Sequence, residues 1–172
     1  MPDLREQLEQ CFQGRVCLVG VGNVDLGDDG FGVRLAEAVA NADLRFAICD
    51  LRAVVAGKSP ERYLIELSSG GFGHLIFLDA VEFGGSAGSV ILLDSNEMAS
   101  RFPQISTHKI SLGTLAKWVE ANGTTTAWLL GVQPESLKPG APLTPTIQST
   151  LEILAEMLSE MAACSPTQSA IA

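Results

Sequence analysis

Short continuous apolar runs alternate along the chain with segments whose apolar positions recur at helical spacing. Leu4, Leu8, Cys11 and Phe12 fit one face of an opening helix. Val16 to Val21 is an apolar run closed by glycine, the pattern of a strand buried on both faces. Val33, Ala36, Val39 and Ala40 predict a helix over Phe31 to Ala40. A second short strand is expected over Phe46 to Cys49, ending at Asp50, and a short helix over Pro60 to Leu67. Leu75 to Leu78 reads as a third strand ending at Asp79. Ser89 to Leu93 reads as a fourth, reached through the Gly84-Gly85-Ser86-Ala87-Gly88 turn. Leu112, Leu115, Ala116 and Val119 then mark a helix, and Ala127 to Val132 a last strand. The closing helix has the sharpest signals. Thr144 suits the N-cap and Pro145 the first helical position, and Ile147, Leu151, Leu154, Leu158 and Met161 lie on one apolar face.

Strands alternating with helices predict an α/β fold, a three-layer α/β/α arrangement around a twisted, mostly parallel five-stranded sheet of the phosphorylase/hydrolase-like kind. No internal repeat and no Pro/Gly/Ser-rich linker divides the chain, so a single domain is expected over residues 1–163. Residues 164–172, Cys-Ser-Pro-Thr-Gln-Ser-Ala-Ile-Ala, are expected to form a flexible tail.

Composition narrows the function. The 172 residues are 47% apolar and only 18% charged, which suits a core-forming domain, not a disordered chain. A net charge of −9 argues against nucleic-acid and anionic-membrane surfaces, both of which require a basic face. No apolar run approaches the roughly 18 residues needed to span a bilayer. The polar, acidic start does not read as a signal peptide. Cys11, Cys17, Cys49 and Cys164 are scattered without a Cys-x-x-Cys pair, as in a reducing compartment, so a cytoplasmic location is expected.

In a mostly parallel sheet the chemistry collects at the carboxyl ends of the strands. After the first strand comes Gly20-Val-Gly-Asn-Val-Asp-Leu-Gly-Asp-Asp-Gly-Phe-Gly32. It fails as a dinucleotide fingerprint because Asp25 stands where the third glycine belongs. Three carboxylates within five residues (Asp25, Asp28, Asp29) would repel a pyrophosphate. Helix capping accounts for one of Asp28 and Asp29 and leaves the other in surplus. Asp79 tips the third strand, which in such sheets usually neighbours the first, so it is expected near the Asp28–Asp29 loop. Converging carboxylates make either a metal site or a coupled acid/base pair. Of the two histidines, His74 precedes its strand and so belongs at the opposite edge. His108 lies in the turn leading to the Leu112–Val119 helix, and two Asp with a His would suit a borderline divalent metal such as nickel, zinc, iron or manganese. No cysteine is paired with a nearby base.

The Gly20–Gly32 string resembles the opening motif of the hydrogenase maturation endopeptidase family. The resemblance continues in order through Leu78-Asp79-Ala80, Ser106-Thr-His108, Gly131-Val-Gln-Pro-Glu-Ser136 and Leu143-Thr-Pro-Thr146, over roughly residues 15 to 160. It implies a peptidase of aspartyl type that trims the carboxyl terminus of a [NiFe]-hydrogenase large-subunit precursor. It also implies that Asp29, Asp79 and His108 are both the catalytic residues and the ligands of nickel, with the nickel presented by the precursor. Asp29 is preferred to Asp28 because it directly precedes the motif's glycine. One departure from the family pattern stands out. A Gly-rich segment usually follows the second strand, whereas here Asp50 leads into Leu51-Arg-Ala-Val-Val-Ala-Gly57, read as a loop on the rim of the cleft.

Under this resemblance the nickel either polarises the scissile carbonyl or activates water, or a carboxylate acts as general base. The expected partner is the hydrogenase large-subunit precursor, met by a monomer, since no heptad seam demands self-association. Two other readings share these residues. A docking factor or metallochaperone would use the same triad without cleavage. A phosphoacceptor receiver domain would require its acidic pair immediately after the first strand and a lysine after the fifth. Here Gly20 to Gly27 intervene before Asp28, and Gln133-Pro134 follows the last strand.

Overall fold

The computed structural model describes residues 3–43, 49–101 and 110–163. The chain runs α1 (Leu4–Cys11), β1 (Arg15–Val21), a 3-10 turn (Gly27–Gly30), α2 (Phe31–Ala40), β2 (Asp50–Gly57), a 3-10 turn (Pro60–Tyr63), α3 (Leu64–Ser69) and β3 (His74–Ala80). It continues through β4 (Val90–Asp94), α4 (Ser95–Arg101), α5 (Leu112–Asn122), β5 (Thr126–Val132) and α6 (Pro145–Ala163). The five strands form one sheet in the order β2-β1-β3-β5-β4. The β1–β2, β1–β3 and β3–β5 pairs are parallel, and β4 runs antiparallel to β5 at one edge. This is the α/β architecture expected from the alternation of elements, with β1 and β3 adjacent.

Strand side chains alternate between two cores. Val16, Leu18, Ile76, Leu78, Leu130 and Val132 face a layer built by α1, α2 and α6. Cys17, Val19, Leu75, Phe77, Ala127 and Leu129 face α3, α4 and α5. Each fully buried Leu, Ile or Phe contributes roughly 1.5–3 kcal/mol relative to exposure. The apolar face of α6, Ile147, Leu151, Leu154, Leu158 and Met161, is buried as its spacing predicts.

Two expectations are corrected. The segment read as a rim loop is an edge strand of the sheet, Asp50–Gly57, while the strand expected over Phe46 to Cys49 falls almost entirely outside the described residues. Ala53 to Ala56 is a small, β-compatible run, with Val54 and Ala56 buried while Val55 faces out. Only its end reaches the strand tips, where Gly57 turns at φ +60° and its carbonyl accepts the Gly22 amide at 3.0 Å. Residues 44–48 and the proposed tail 164–172 lie outside the described residues. The helix α4 was not expected. Its signal is the box Asp94-x-x-Glu97, in which Glu97 N donates to Asp94 Oδ1 at 2.8 Å and Asp94 N to Glu97 Oε2 at 3.1 Å.

The first turn of α2 lies directly on the sheet because it has glycine there. A Cβ at Gly32 would sit 1.9 Å from the Leu78 carbonyl oxygen and 2.4 Å from that of Val21. Neither backbone can yield without disturbing the β1–β3 pair. Gly32→Ala is therefore expected to destabilise the fold by about 3 kcal/mol or more, at the top of the usual overpacking range. Urea unfolding measures it, and an unchanged midpoint would contradict this packing.

Candidate active site

The loop from Gly20 to Gly32 folds back over the tips of β1 and β3. Gly22 is the pivot, at φ +129°, where a Cβ would meet the Asp29 carbonyl oxygen at 1.9 Å and lie 3.7 Å from Asp79 Oδ1. The absence of a side chain at Gly22 is what allows the Asp29 backbone to close onto β1 beside Asp79. Asp29 is 7% exposed and accepts a hydrogen bond from the Asn23 amide on Oδ2 at 2.9 Å. Asp79 is 3% exposed, follows Leu78 in β3, and accepts from the Ala80 amide on Oδ1 at 2.9 Å.

These two carboxylates sense each other. Burial pushes the Asp79 carboxyl well above the usual carboxylate range, and the neighbouring Asp29 charge pushes it further. The Ala80 amide opposes both. Desolvation and a like charge both disfavour the second ionisation, as in carboxylate pairs that share a proton. The pairing expected from the adjacency of β1 and β3 is thus present.

Asp28 does different work. It is fully buried, and its side chain caps neither the 3-10 turn in which it lies nor α2. The capping role expected for one of the two aspartates is therefore not the role Asp28 plays. Its Oδ2 accepts from the amides of Glu135 and Ser136 at 2.9 and 2.8 Å and from Thr144 Oγ1 at 3.1 Å. Its Oδ1 accepts from the Thr144 amide at 2.7 Å. The Asp28 amide in turn donates to the Ser136 carbonyl at 2.9 Å. One buried carboxylate thus clamps the 135–144 segment and the start of α6 to the first loop. Its negative charge also faces the positive end of the α6 dipole.

His108, the third residue singled out in the sequence, lies outside the described residues. Among the described residues no group of three or more His, Cys, Asp and Glu could hold a metal ion. His74 sits at the amino end of β3, across the sheet from Asp79, and its Nδ1 accepts from Trp128 Nε1 at 3.2 Å. Burial lowers its pKa, so the imidazole is held neutral as a structural acceptor, in line with its expected position.

The buried thiols of Cys11 and Cys17 are unsuited to nucleophilic work. Burial pushes the Cys11 and Cys17 thiols up to about 12, so their thiolate fraction at neutral pH is negligible. Both should resist iodoacetamide at pH 7.5 until the protein is unfolded, as peptide mapping of the alkylated protein would show. Rapid labelling of either thiol in the native state would contradict that burial.

The comparisons with known proteins agree with this geometry. The family model described as hydrogenase maturation protease matches residues 33–161, which include Asp79 and begin just after the Asp29 loop. The hydrogenase 2 maturation protease of Escherichia coli K12 is 31% identical over 142 residues, covering 80% of this chain and 84% of that protein. The crystal structure of the [NiFe] hydrogenase maturation protease HycI from Thermococcus kodakarensis KOD1 superposes with a TM-score of 0.79. It is 28% identical over 92% of this chain and 99% of that one. The hydrogenase maturating endopeptidase HybD from Escherichia coli gives a TM-score of 0.69 at 28% identity, over 84% of this chain and 89% of that one. With its sheet order, its strand-tip carboxylates and a family model matching more than half its length, the chain belongs to the hydrogenase maturation protease family and is a peptidase.

Proposed function

We propose that this endopeptidase removes the carboxyl-terminal extension of a [NiFe]-hydrogenase large-subunit precursor that already carries nickel, and that Asp29, Asp79 and His108 form its site. The observation that carries the reading is the meeting of two buried carboxylates, Asp29 and Asp79, where burial first and the Asp29 charge second push the Asp79 carboxyl well above the usual carboxylate range. Two carboxylates and an imidazole suit a borderline divalent ion. Nickel here belongs to the substrate and brings positive charge to a cleft in which burial and the neighbouring carboxylate disfavour the charged form of Asp79. A precursor without the metal leaves that penalty unrelieved, which makes the site selective for the loaded form.

In the hydrolytic step, the oxygen of a water attacks the scissile carbonyl carbon while a carboxylate of the pair accepts the water's proton. The C–N bond then breaks as that proton passes to the departing amide nitrogen, leaving a new carboxylate and a new amine. No helix among the described residues is long and apolar enough to cross a membrane. The protein is proposed to meet its precursor as a monomer.

A docking factor using the same residues would bind the precursor without cutting it. The two readings separate when the purified protein is incubated with a hydrogenase large-subunit precursor and the carboxyl terminus is read by peptide mapping. Release of one defined terminal peptide is expected. A stable complex with an intact terminus would replace the peptidase reading by the docking one.

A further inference from the structure

Gln133 has no part in the acid/base chemistry, yet it is 6% exposed and engages both ends of its amide. It directly follows β5. Its Oε1 accepts from three consecutive amides, Phe83 at 2.9 Å, Gly84 at 3.0 Å and Gly85 at 3.2 Å, and its Nε2 donates to Glu82 Oε2 at 2.5 Å. Its backbone closes the far side of the same loop. The Gly88 amide donates to the Gln133 carbonyl and the Gln133 amide to the Ser89 carbonyl, both at 2.9 Å. The Thr150 hydroxyl holds the Gly88 carbonyl at 3.1 Å.

The segment so pinned is the one that leaves Asp79. The Ala80 amide is bonded to Asp79 Oδ1, the Val81 amide to the Val132 carbonyl at 2.9 Å, and the next bonded amides are the three on Gln133. Val81 is buried over Gly131, where a Cβ would lie 2.4 Å from its Cγ2. Asp79 itself is held by β3, so its position does not depend on Gln133. Residues 84–87, in contrast, are exposed, small and glycine-rich, and turn at φ +80° at Gly84. A loop of that composition has many accessible conformations, and fixing one costs entropy unless bonds impose it.

We propose that Gln133 is a positioning residue for the substrate. It fixes the 82–88 loop as a rigid wall beside Asp79, against which the precursor's carboxyl-terminal segment is laid for cleavage. The inference rests on the proposed peptidase reading. It assigns Gln133 to substrate binding, through the loop, and leaves the bond-breaking step to the carboxylates.

An exchange of side chains tests it. Gln133→Glu sets a second carboxylate against Glu82, and the repulsion between them draws the side chain away from the three loop amides it now accepts from. Glu82→Gln in the same chain restores a donor to that contact. The single variant should raise KM for the precursor by roughly 10-fold with kcat changed less than about twofold, and the double variant should return KM toward wild type. A merely structural role would instead lower kcat through loss of active enzyme and leave KM alone, which would overturn the inference. So would a KM that stays raised in the double variant. Protection of the Phe83, Gly84 and Gly85 amides from hydrogen exchange gives a readout independent of activity. It should fall in Gln133→Glu and recover in the double variant, and unaltered protection in the single variant would also overturn the inference. Failure of the wild-type protein to cleave the precursor would strike the peptidase reading, while the exchange data would still judge the pinning of the loop.

Discussion

Asp79→Asn is expected to abolish cleavage of the hydrogenase precursor, with a loss of roughly 10²–10⁴-fold or more, while the protein stays folded. The amide preserves the shape of the side chain and can still accept from the Ala80 amide. It can neither hold nor release a proton, and it contributes no charge to the cleft.

The same substitution should increase stability, in a pH-dependent way. The folded Asp79 carboxyl titrates above its ordinary value because of burial and the Asp29 charge. A group raised in the folded state contributes stability that is complete below its unfolded pKa and is lost as pH rises through its folded pKa. Below about pH 4, where the carboxyl is protonated in both states, wild type and Asp79→Asn should therefore be closely matched. Above that the variant should gain progressively over wild type, each 1 kcal/mol raising the melting temperature by about 2–4 °C in a domain of this size. A series of thermal melts across pH reads this directly. A variant that cleaves normally, or one whose stability falls relative to wild type as pH rises, would contradict the coupled pair.

The second large effect belongs to Asp28 and should appear in stability. Asp28→Ala strips acceptors from the amides of Glu135, Ser136 and Thr144 and from the Thr144 hydroxyl, all gathered on one fully buried carboxylate. Each orphaned buried donor costs about 1–3 kcal/mol, and the donors share one anchor, so a loss of about 3–5 kcal/mol is expected. Asp28→Asn should be milder but still destabilising. One oxygen can serve the three donors now on Oδ2, but the new amide nitrogen then faces the Thr144 amide, donor against donor. Urea unfolding of the two variants gives both values. A midpoint near wild type for Asp28→Ala would refute the clamp.

This division of labour between neighbouring aspartates marks how far the sequence can be read. The alternation of strands and helices follows from apolar runs and helical spacing, and the expected meeting of Asp29 with Asp79 follows from β1 lying beside β3. The surplus of carboxylates was visible in the Asp28-Asp29 pair, but its resolution was not. The partners of Asp28 lie more than 100 residues away in the chain and are mostly backbone amides, which carry no residue-type signal. Gln133 was hidden for the same reason, its partners being loop amides some 50 residues distant. The edge strand β2 reads as a loop in the sequence because its half-exposed run of small residues resembles a loop as much as a strand. The short α4 buries only Ser95 and Met98, too little to register as a periodic face. His108 entered through its place in the Ser-Thr-His motif.

The account centres on a carboxylate pair that accepts its substrate only when a divalent charge arrives with it. The most direct test is the intact mass of a purified hydrogenase large-subunit precursor after incubation with this protein, run in parallel on nickel-loaded and nickel-free material. The account predicts loss of a defined carboxyl-terminal peptide from the loaded precursor alone. Equal cleavage of both forms would leave a peptidase but contradict the role given to the metal's charge at Asp29 and Asp79.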